Sequence, residues 1–291
     1  MQIPTKKLKN GFEMPVYGLG TWQMGGRKEH DPNNDDEADI KAIKAAIELG
    51  VTHLDTAEIY ANGYSEILLG RAIKDYDRSK LFLVSKVSDE HLRFDDVITA
   101  AKQSLKRLET NYLDLYLTHR PNPPGVSIKE TMRAMDTLVD EGLVKNIGIC
   151  NYTAEEIEEA QSYAKNKIVA AQLHLNLKYR EAERRDVLKY CQANDILFIA
   201  WRPVQKGILL NNIPEILQRM AEKYSKTPAQ IALNWLISQD NVVTLSKTRN
   251  VAHLKENLGA LGWQMQKEDI EQLRNGFPDQ EAVSDAVPLN R

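Results

Sequence analysis

Val51-Thr52-His53-Leu54-Asp55-Thr56-Ala57-Glu58-Ile59-Tyr60 joins a short apolar run to an acid and a phenol. Val51–Leu54 reads as a buried strand, and Ser65–Lys74 just beyond it carries apolar residues at helical spacing. An acid and a phenol therefore stand where a strand hands over to a loop, the usual place for chemistry in α/β folds. Taken singly, Asp55 reads as a turn cap and Tyr60 as packing against the next helix. The other strand ends decide between these readings.

Downstream the alternation repeats. Strands are expected at Leu81–Ser85, Tyr112–Thr118, Asn146–Cys150, Val169–Leu175, Ile196–Ala200 and Val242–Leu245. Between them lie helical patterns at Asp95–Leu108, Ser127–Glu141, Ala154–Ala164, Ala182–Asn194 and Pro214–Ser238, the last with Thr227-Pro228 restarting a second helix. Val251–Leu261 and Lys267–Asn275 read as closing helices, and the tail from Phe277 as loop. Upstream, a helix at Glu37–Leu49 stops at Gly50, preceded by a polar loop, Gly25 to Asp36, long enough to suggest a mobile active-site segment. Val16–Thr21 reads as the first strand of the series, and Lys6 to Val16 as a hairpin turning at Asn10-Gly11. About eight strand-then-helix units with no composition break imply a parallel sheet, and that number points to one (β/α)8 TIM barrel domain over residues 1–291. An open, doubly wound sheet is the alternative.

Composition narrows the function. A formal net charge of -3 with no basic tract argues against nucleic acid. Cys150 and Cys191 have no metal-site spacing and make no disulfide framework, so no metal is expected. No apolar run approaches the ~20 residues that cross a bilayer, and the N-terminal stretch has no apolar signal core, so a cytoplasmic, membrane-free location is expected.

In a barrel the C-terminal strand ends share one rim. Read in order, that rim carries Thr21-Trp22, Asp55, Lys86, His119-Arg120, Asn151, Trp201-Arg202 and Lys247-Thr248, with Gln172 inside the sixth strand. Lys86 alone could merely snorkel to water, and His119 alone could be a hydrogen-bonded structural histidine. His53 and His174 lie within strands and read as structural. As a group the rim residues can do chemistry. A phenol, with a reference pKa near ~10, is a reluctant proton donor, a nearby lysine cation lowers that value, and a carboxylate keeps the lysine charged. Tyr60, Lys86 and Asp55 supply these parts, and His119 can orient a substrate oxygen.

With these residues in view the chain resembles the aldo-keto reductase family. The resemblance rests on Gly18-Leu19-Gly20-Thr21-Trp22, Asp55-Thr56-Ala57 with Tyr60, Val84-Ser85-Lys86, Leu117-Thr118-His119-Arg120-Pro121, Gly148-Ile149-Cys150-Asn151-Tyr152, Gln172, and Ser246-Lys247-Thr248 with Glu256-Asn257, in family order over nearly the whole chain. It implies a barrel that binds an extended nicotinamide dinucleotide, in keeping with the absence of a strand–G-x-G-x-x-G–helix fingerprint. It assigns Tyr60 as proton donor, Lys86 as its partner, Asp55 as the holder of Lys86, and His119 as the orienter of a small carbonyl substrate. Asn151 and Gln172 would hold the carboxamide, and Trp201, at a position usually tyrosine, would stack on the nicotinamide. Trp22, Tyr60, His119 and Arg120 would wall the substrate pocket. Thr21, Trp22 and Asp55 join the cofactor set, together with Cys150 at a usual serine. Arg202, Val204, Lys206 and Gly207 would cover the pyrophosphate. Ser246, Lys247, Thr248, Arg249, His253, Glu256 and Asn257 would form the adenosine end. Lys247, Thr248 and Arg249 are expected to converge on a 2′-phosphate, favouring NADPH/NADP+ over NADH, although His253 replaces the arginine usual at its position.

The implied activity is reversible, NADPH-dependent reduction of an aldehyde or ketone to an alcohol by a monomer. Two other readings stay open at this level: a Schiff-base aldolase using Lys86, and a regulatory subunit that holds NADP without turnover.

Overall fold

The computed structural model of the chain describes residues 2–289, without the side chains of Lys206, Ile208 and Leu210. The chain opens with a two-stranded antiparallel hairpin, β1 (Thr5–Lys7) and β2 (Glu13–Pro15). Eight strand–helix units follow. These are β3 (Tyr17–Gly20) and α1 (Asp36–Glu48), β4 (His53–Asp55) and α2 (Tyr64–Ile73), β5 (Phe82–Val87) and α3 (Phe94–Arg107), β6 (Leu115–Thr118) and α4 (Ile128–Asp140). The series continues with β7 (Ile147–Cys150) and α5 (Ala154–Tyr163), β8 (Ile168–His174) with α6 (Glu181–Arg184) and α7 (Val187–Ala193), β9 (Leu197–Trp201) with α8 (Glu215–Tyr224) and α9 (Pro228–Ile237), and β10 (Val242–Ser246) with α10 (Val251–Leu258). A last helix, α11 (Lys267–Gly276), precedes the tail.

β3 to β10 pair in chain order, and β10 closes on β3 in parallel register, Leu245 opposite Gly18 and Ser246 opposite Leu19. The sheet is a closed barrel, which removes the open-sheet alternative. Val84, Leu115, Leu117, Ala170, Leu197, Ile199 and Val243 fill the barrel, and Leu8, Phe12 and Met14 of the hairpin join the same cluster. Phe12 meets Phe82, the first residue of β5, edge to face at 6.0 Å, so the hairpin plugs the end opposite the rim. The helices bury their apolar stripes on the outside of the sheet. Side-chain caps start α1, α5, α9 and α10, and at α9 Thr227 and Gln230 form a reciprocal capping box around Pro228. Among the described residues no helix is long and apolar enough to cross a membrane.

Three boundaries differ from the expected ones for local reasons. The strand after Gly50 begins at His53, because the Val51 N–H still bonds Ala46 O of the preceding helix at 2.9 Å. The strand expected from Tyr112 begins at Leu115, since Tyr112 is clasped between Arg78 and Lys145, each 4.0 Å from its ring centroid. The helix expected over Ala182–Asn194 is two, broken at Asp186, whose φ of 55° no α-helix accepts. In the polar loop before α1, Gly26 and His30 form an antiparallel bridge, and His30 stacks on Tyr64 at 3.7 Å.

Inside the barrel Gly18 is required by a neighbour. A Cβ there would lie 2.2 Å from Nδ1 of the buried His53. Overpacking of this kind typically costs about 1–3 kcal/mol. Gly18→Ala should lower the thermal unfolding midpoint, and Gly18→Ala with His53→Ala should recover part of the loss. An unchanged midpoint in the single variant, by calorimetry, would show that the ring moves aside freely.

Candidate active site

The rim is built on alternation along the strands, which turns every second residue inward. Asp55 ends β4 and is 2% exposed; Lys86, inside β5, is fully buried. Lys86 is therefore no snorkelling surface lysine. Its Nζ donates to Asp55 Oδ1 at 2.6 Å and to Thr56 O at 2.7 Å. The other carboxylate oxygen, Oδ2, accepts from Gln172 Nε2 at 2.8 Å, and Gln172 Oε1 accepts from the Cys150 thiol at 3.7 Å. A continuous chain thus crosses the barrel from β7 through β8 and β4 to β5.

Tyr60 is set over this chain by a turn of unusual backbone. Ala61, Asn62 and Gly63 all have positive φ, 51°, 54° and 82°. Gly63 is needed there, because a Cβ would lie 2.7 Å from Nε of Arg107. The Tyr60 ring lies edge to face with Trp22 at 4.9 Å and with His119 at 5.6 Å, and Lys86 Nζ is 5.1 Å from its centroid. Ser65, at the start of α2, donates to Thr21 Oγ1 at 2.8 Å and so joins the Tyr60 turn to the strand that carries Trp22. Asn151 Nδ2 donates to His119 O at 3.0 Å, while His119 Nδ1 is buried and has no partner among the described residues. Arg120 is exposed beside this group.

Electrostatics fix the protonation states. Burial pushes Tyr60 up to about 12; Lys86 pulls it down, and Asp55 pushes it up again. The pull of Lys86 has the expected sign, but burial outweighs it, so the phenol keeps its proton at neutral pH. Burial alone would lower Lys86, but Asp55 first, then Tyr60 and Cys150, carry it above the usual lysine value. Burial, reinforced by the cations of Lys86 and Arg120, holds His119 well below the ordinary histidine range, so its imidazole is neutral. Burial also raises the Cys150 thiol, which stays protonated.

The residues expected at the adenosine end do not all converge. Lys247 is exposed and makes no side-chain hydrogen bond or ion pair among the described residues. Thr248 accepts from the N–H of Asn250 at 3.0 Å, beside the start of α10, where His253 is exposed and Glu256 half-buried. Arg249 turns away: it pairs with buried Asp39 and donates to Asn34 Oδ1 at 2.8 Å and Gln23 O at 3.0 Å. Asn257 and Ser246 face Tyr17 inside the fold, Asn257 donating to Ser246 Oγ at 3.1 Å. In the loop after β9, Arg202 pairs with Asp285 of the tail at 3.1 Å rather than facing an open cleft. Val204 is half-buried and its carbonyl accepts from Gly207 N–H at 2.8 Å; the side chain of Lys206 lies outside the described residues. Trp201 ends β9 and stacks on His174 at 4.3 Å.

Asp39 and Asp285 were not among the expected site residues, and His174 was read as structural. Asp39 lies within the helix expected over Glu37–Leu49 and shares a face with buried Ala42, Ile43 and Ala46, a spacing that marks it as inward. His174 lies two residues after Gln172, hence on the same strand face. Asp285 had no signal at all. Among the described residues no group of three or more His, Cys, Asp or Glu could hold a metal ion.

The wider comparisons agree with the geometry. Residues 17–275 match the model of the Aldo/keto reductase family. A glyoxal reductase of Bacillus subtilis is 35% identical over 92% of this chain and 91% of its own. The crystal structure of a thermostable aldo-keto reductase, Tm1743, in complex with the inhibitor epalrestat superposes with a TM-score of 0.90 at 40% identity, covering 94% of this chain and 99% of that one. An aldo-keto reductase from Klebsiella pneumoniae in complex with NADPH superposes at 0.83 with 31% identity, covering 97% and 98%. A closed barrel, an acid–lysine–tyrosine–histidine group at its rim and a match over most of the chain lead to one conclusion: the chain belongs to the aldo/keto reductase family of oxidoreductases.

Proposed function

We propose that the protein reduces an aldehyde or ketone to an alcohol with NADPH, Tyr60 giving the proton. The observation that carries this is the convergence of a protonated phenol, a neutral imidazole and a lysine ammonium on one rim opening, with the lysine fixed by Asp55. The B. subtilis relative named for glyoxal reduction and the Klebsiella structure with NADPH support the substrate class and the cofactor. The rim groups fit a nicotinamide dinucleotide in kind. Asn151 and Gln172 offer amide groups at the barrel mouth, Trp201 offers an aromatic face, and Lys247 offers a cation with no partner among the described residues.

When bound, the nicotinamide supplies hydride to the carbonyl carbon. The chain's residues do the rest. His119, neutral, donates a hydrogen bond to the carbonyl oxygen and points it at Tyr60. Tyr60 hands its proton to that oxygen as charge develops there. Lys86 stabilises the phenolate left behind, and Asp55 holds Lys86 charged throughout. Trp22, against the Tyr60 ring, limits water beside the oxygen. Asp55 and Thr56 O occupy the Lys86 ammonium, which opposes an unprotonated amine nucleophile and hence the aldolase reading. A monomer working in the cytoplasm is part of the same proposal.

A multiple-turnover assay with a panel of carbonyls, glyoxal included, following loss of NADPH absorbance, tests this reading. Tyr60→Phe keeps the ring and removes the proton. General acid catalysis commonly contributes ~10²–10⁴-fold, so kcat should fall at least that far with little change in NADPH affinity. Near wild-type turnover would take Tyr60 out of the role.

The pH profile follows from the protonation states. The donor must be protonated, and a Tyr60 value raised to about 12 keeps it so until the pH climbs toward that value. His119 is depressed, so it stays neutral through the acid side. Single-turnover reduction should therefore be flat from about pH 6 to 9, without a limb near the ~6.5 of ordinary histidine. A titration centred there would contradict a neutral His119.

Cofactor choice rests on Lys247. With Arg249 held by Asp39, one charge-assisted hydrogen bond of about 1.5–3 kcal/mol reads the 2′-phosphate, so NADPH should bind roughly tenfold to a hundredfold tighter than NADH. Titrating both cofactors against wild type and Lys247→Ala checks this. Equal affinities in wild type, unmoved by the substitution, would show that this segment does not read the phosphate.

A further inference from the structure

Tyr179, His174 and Trp201 form a three-ring stack at the barrel mouth. His174 lies 4.8 Å from Tyr179 at 22° and 4.3 Å from Trp201 at 10°. The middle ring is buried, and both of its nitrogens are engaged. Nδ1 is 2.8 Å from Ser284 Oγ in the tail, and Nε2 is 3.0 Å from Gln205 Oε1 and 3.2 Å from Asn176 Nδ2. Asn176 also donates to Arg202 O at 2.9 Å and to Gln205 Oε1 at 3.0 Å, so it ties the end of β8 to the loop after β9.

The tail is fastened at more than this point. Buried Glu181 accepts the backbone N–H groups of Ser284 at 2.8 Å and Leu289 at 2.9 Å. Asp285 accepts from Arg202 at 3.1 Å and from Gln205 at 3.0 Å, and the Arg202 guanidinium lies 5.3 Å from the Trp201 ring centroid. Every polar contact of His174 therefore leads to the tail or to the loop expected over the cofactor's phosphates. The nearer and more nearly parallel of its two stacked rings is the indole expected beneath the nicotinamide.

We propose that His174 is a positioning residue. It sets the plane of Trp201 for the dinucleotide and, through Ser284 and Gln205, makes that plane depend on whether the C-terminal tail is docked. The inference rests on the NADPH reading above. Two features argue for it over a merely structural histidine. A stack alone needs no polar anchors, and a phenylalanine would serve; here both nitrogens are anchored, to two different segments. Burial also lowers His174 to about 4, so the ring is neutral and offers one donor and one acceptor to those anchors at working pH.

Coupling between two sites is reciprocal. If a docked tail improves cofactor binding by some factor, bound cofactor must favour the docked tail by the same factor. The variants are His174→Phe, which keeps a ring and loses the anchors, and Ser284→Ala and Asp285→Asn, which leave the stack intact. NADPH affinity, read by intrinsic tryptophan fluorescence, should weaken about fivefold or more in His174→Phe and by a smaller factor in the two tail variants. The amides of Ser284 and Leu289 should exchange more slowly in wild type when NADPH is present, and this protection should shrink in His174→Phe. His174→Phe binding NADPH as wild type does, with unchanged amide protection, would overturn the positioning role and leave the reductase reading standing. Should His174→Phe fail to fold, Ser284→Ala and Asp285→Asn decide alone, and wild-type affinity with full protection in both would overturn the role. A wild-type protein that binds no NADPH would overturn both.

Discussion

The site depends on one buried ion pair. Lys86 is fully enclosed and Asp55 nearly so, and removing two charges from water is expensive unless each remaining donor and acceptor finds a partner. Here they do: Asp55 uses one oxygen for Lys86 and the other for Gln172, and Lys86 adds Thr56 O. Gln172 belongs to β8 and Asp55 to β4, four strands away around the ring, so the pair is satisfied only in a closed barrel. Removing one partner of such a pair typically costs about 3–5 kcal/mol, which ties the integrity of the barrel to the integrity of the site.

The pair in turn governs the rings above it. The same cation pulls the Tyr60 phenol down and, adding to burial, helps hold His119 well below the ordinary histidine range, so one charge acts on both rings. The Tyr60 turn carries three consecutive left-handed residues, a conformation that costs free energy locally and persists only where its surroundings fix it. Those surroundings are buried and polar. Glu66 of α2 accepts from Arg107 of α3 at 2.6 Å and from Ser85, the residue before Lys86. The helix that follows Tyr60 is thereby held to the strand that carries Lys86.

The other half of the rim is organised by charges that meet protein rather than open solvent. Arg202 reaches the tail and Arg249 reaches α1 and the loop before it. Both cations stand in loops that follow barrel strands, β9 and β10. Each fastens a segment that bounds the mouth of the barrel, whereas Lys247 is exposed and makes no side-chain hydrogen bond or ion pair among the described residues.

The eight units were legible in the sequence because their periodicities and stops are local: apolar runs of strand length, helical spacing, Gly50 after α1, Pro228 at the start of α9. The rim positions of Asp55, Lys86 and His119 were legible for the same reason, since each stands at or near a strand end that its own flanks define. Local signals could not say where long side chains turn. Arg249 and Arg202 read as phosphate cations because the carboxylates that take them, Asp39 and Asp285, lie 210 and 83 residues away in sequence. Nor could they give the net state of Tyr60, since Lys86 is visible in the sequence but the burial that outweighs it is a property of the closed rim. Sequence determined which chemical groups the rim carries; the tertiary structure alone decided their partners and protonation, because both are set by distance and solvent exclusion between segments far apart in the chain.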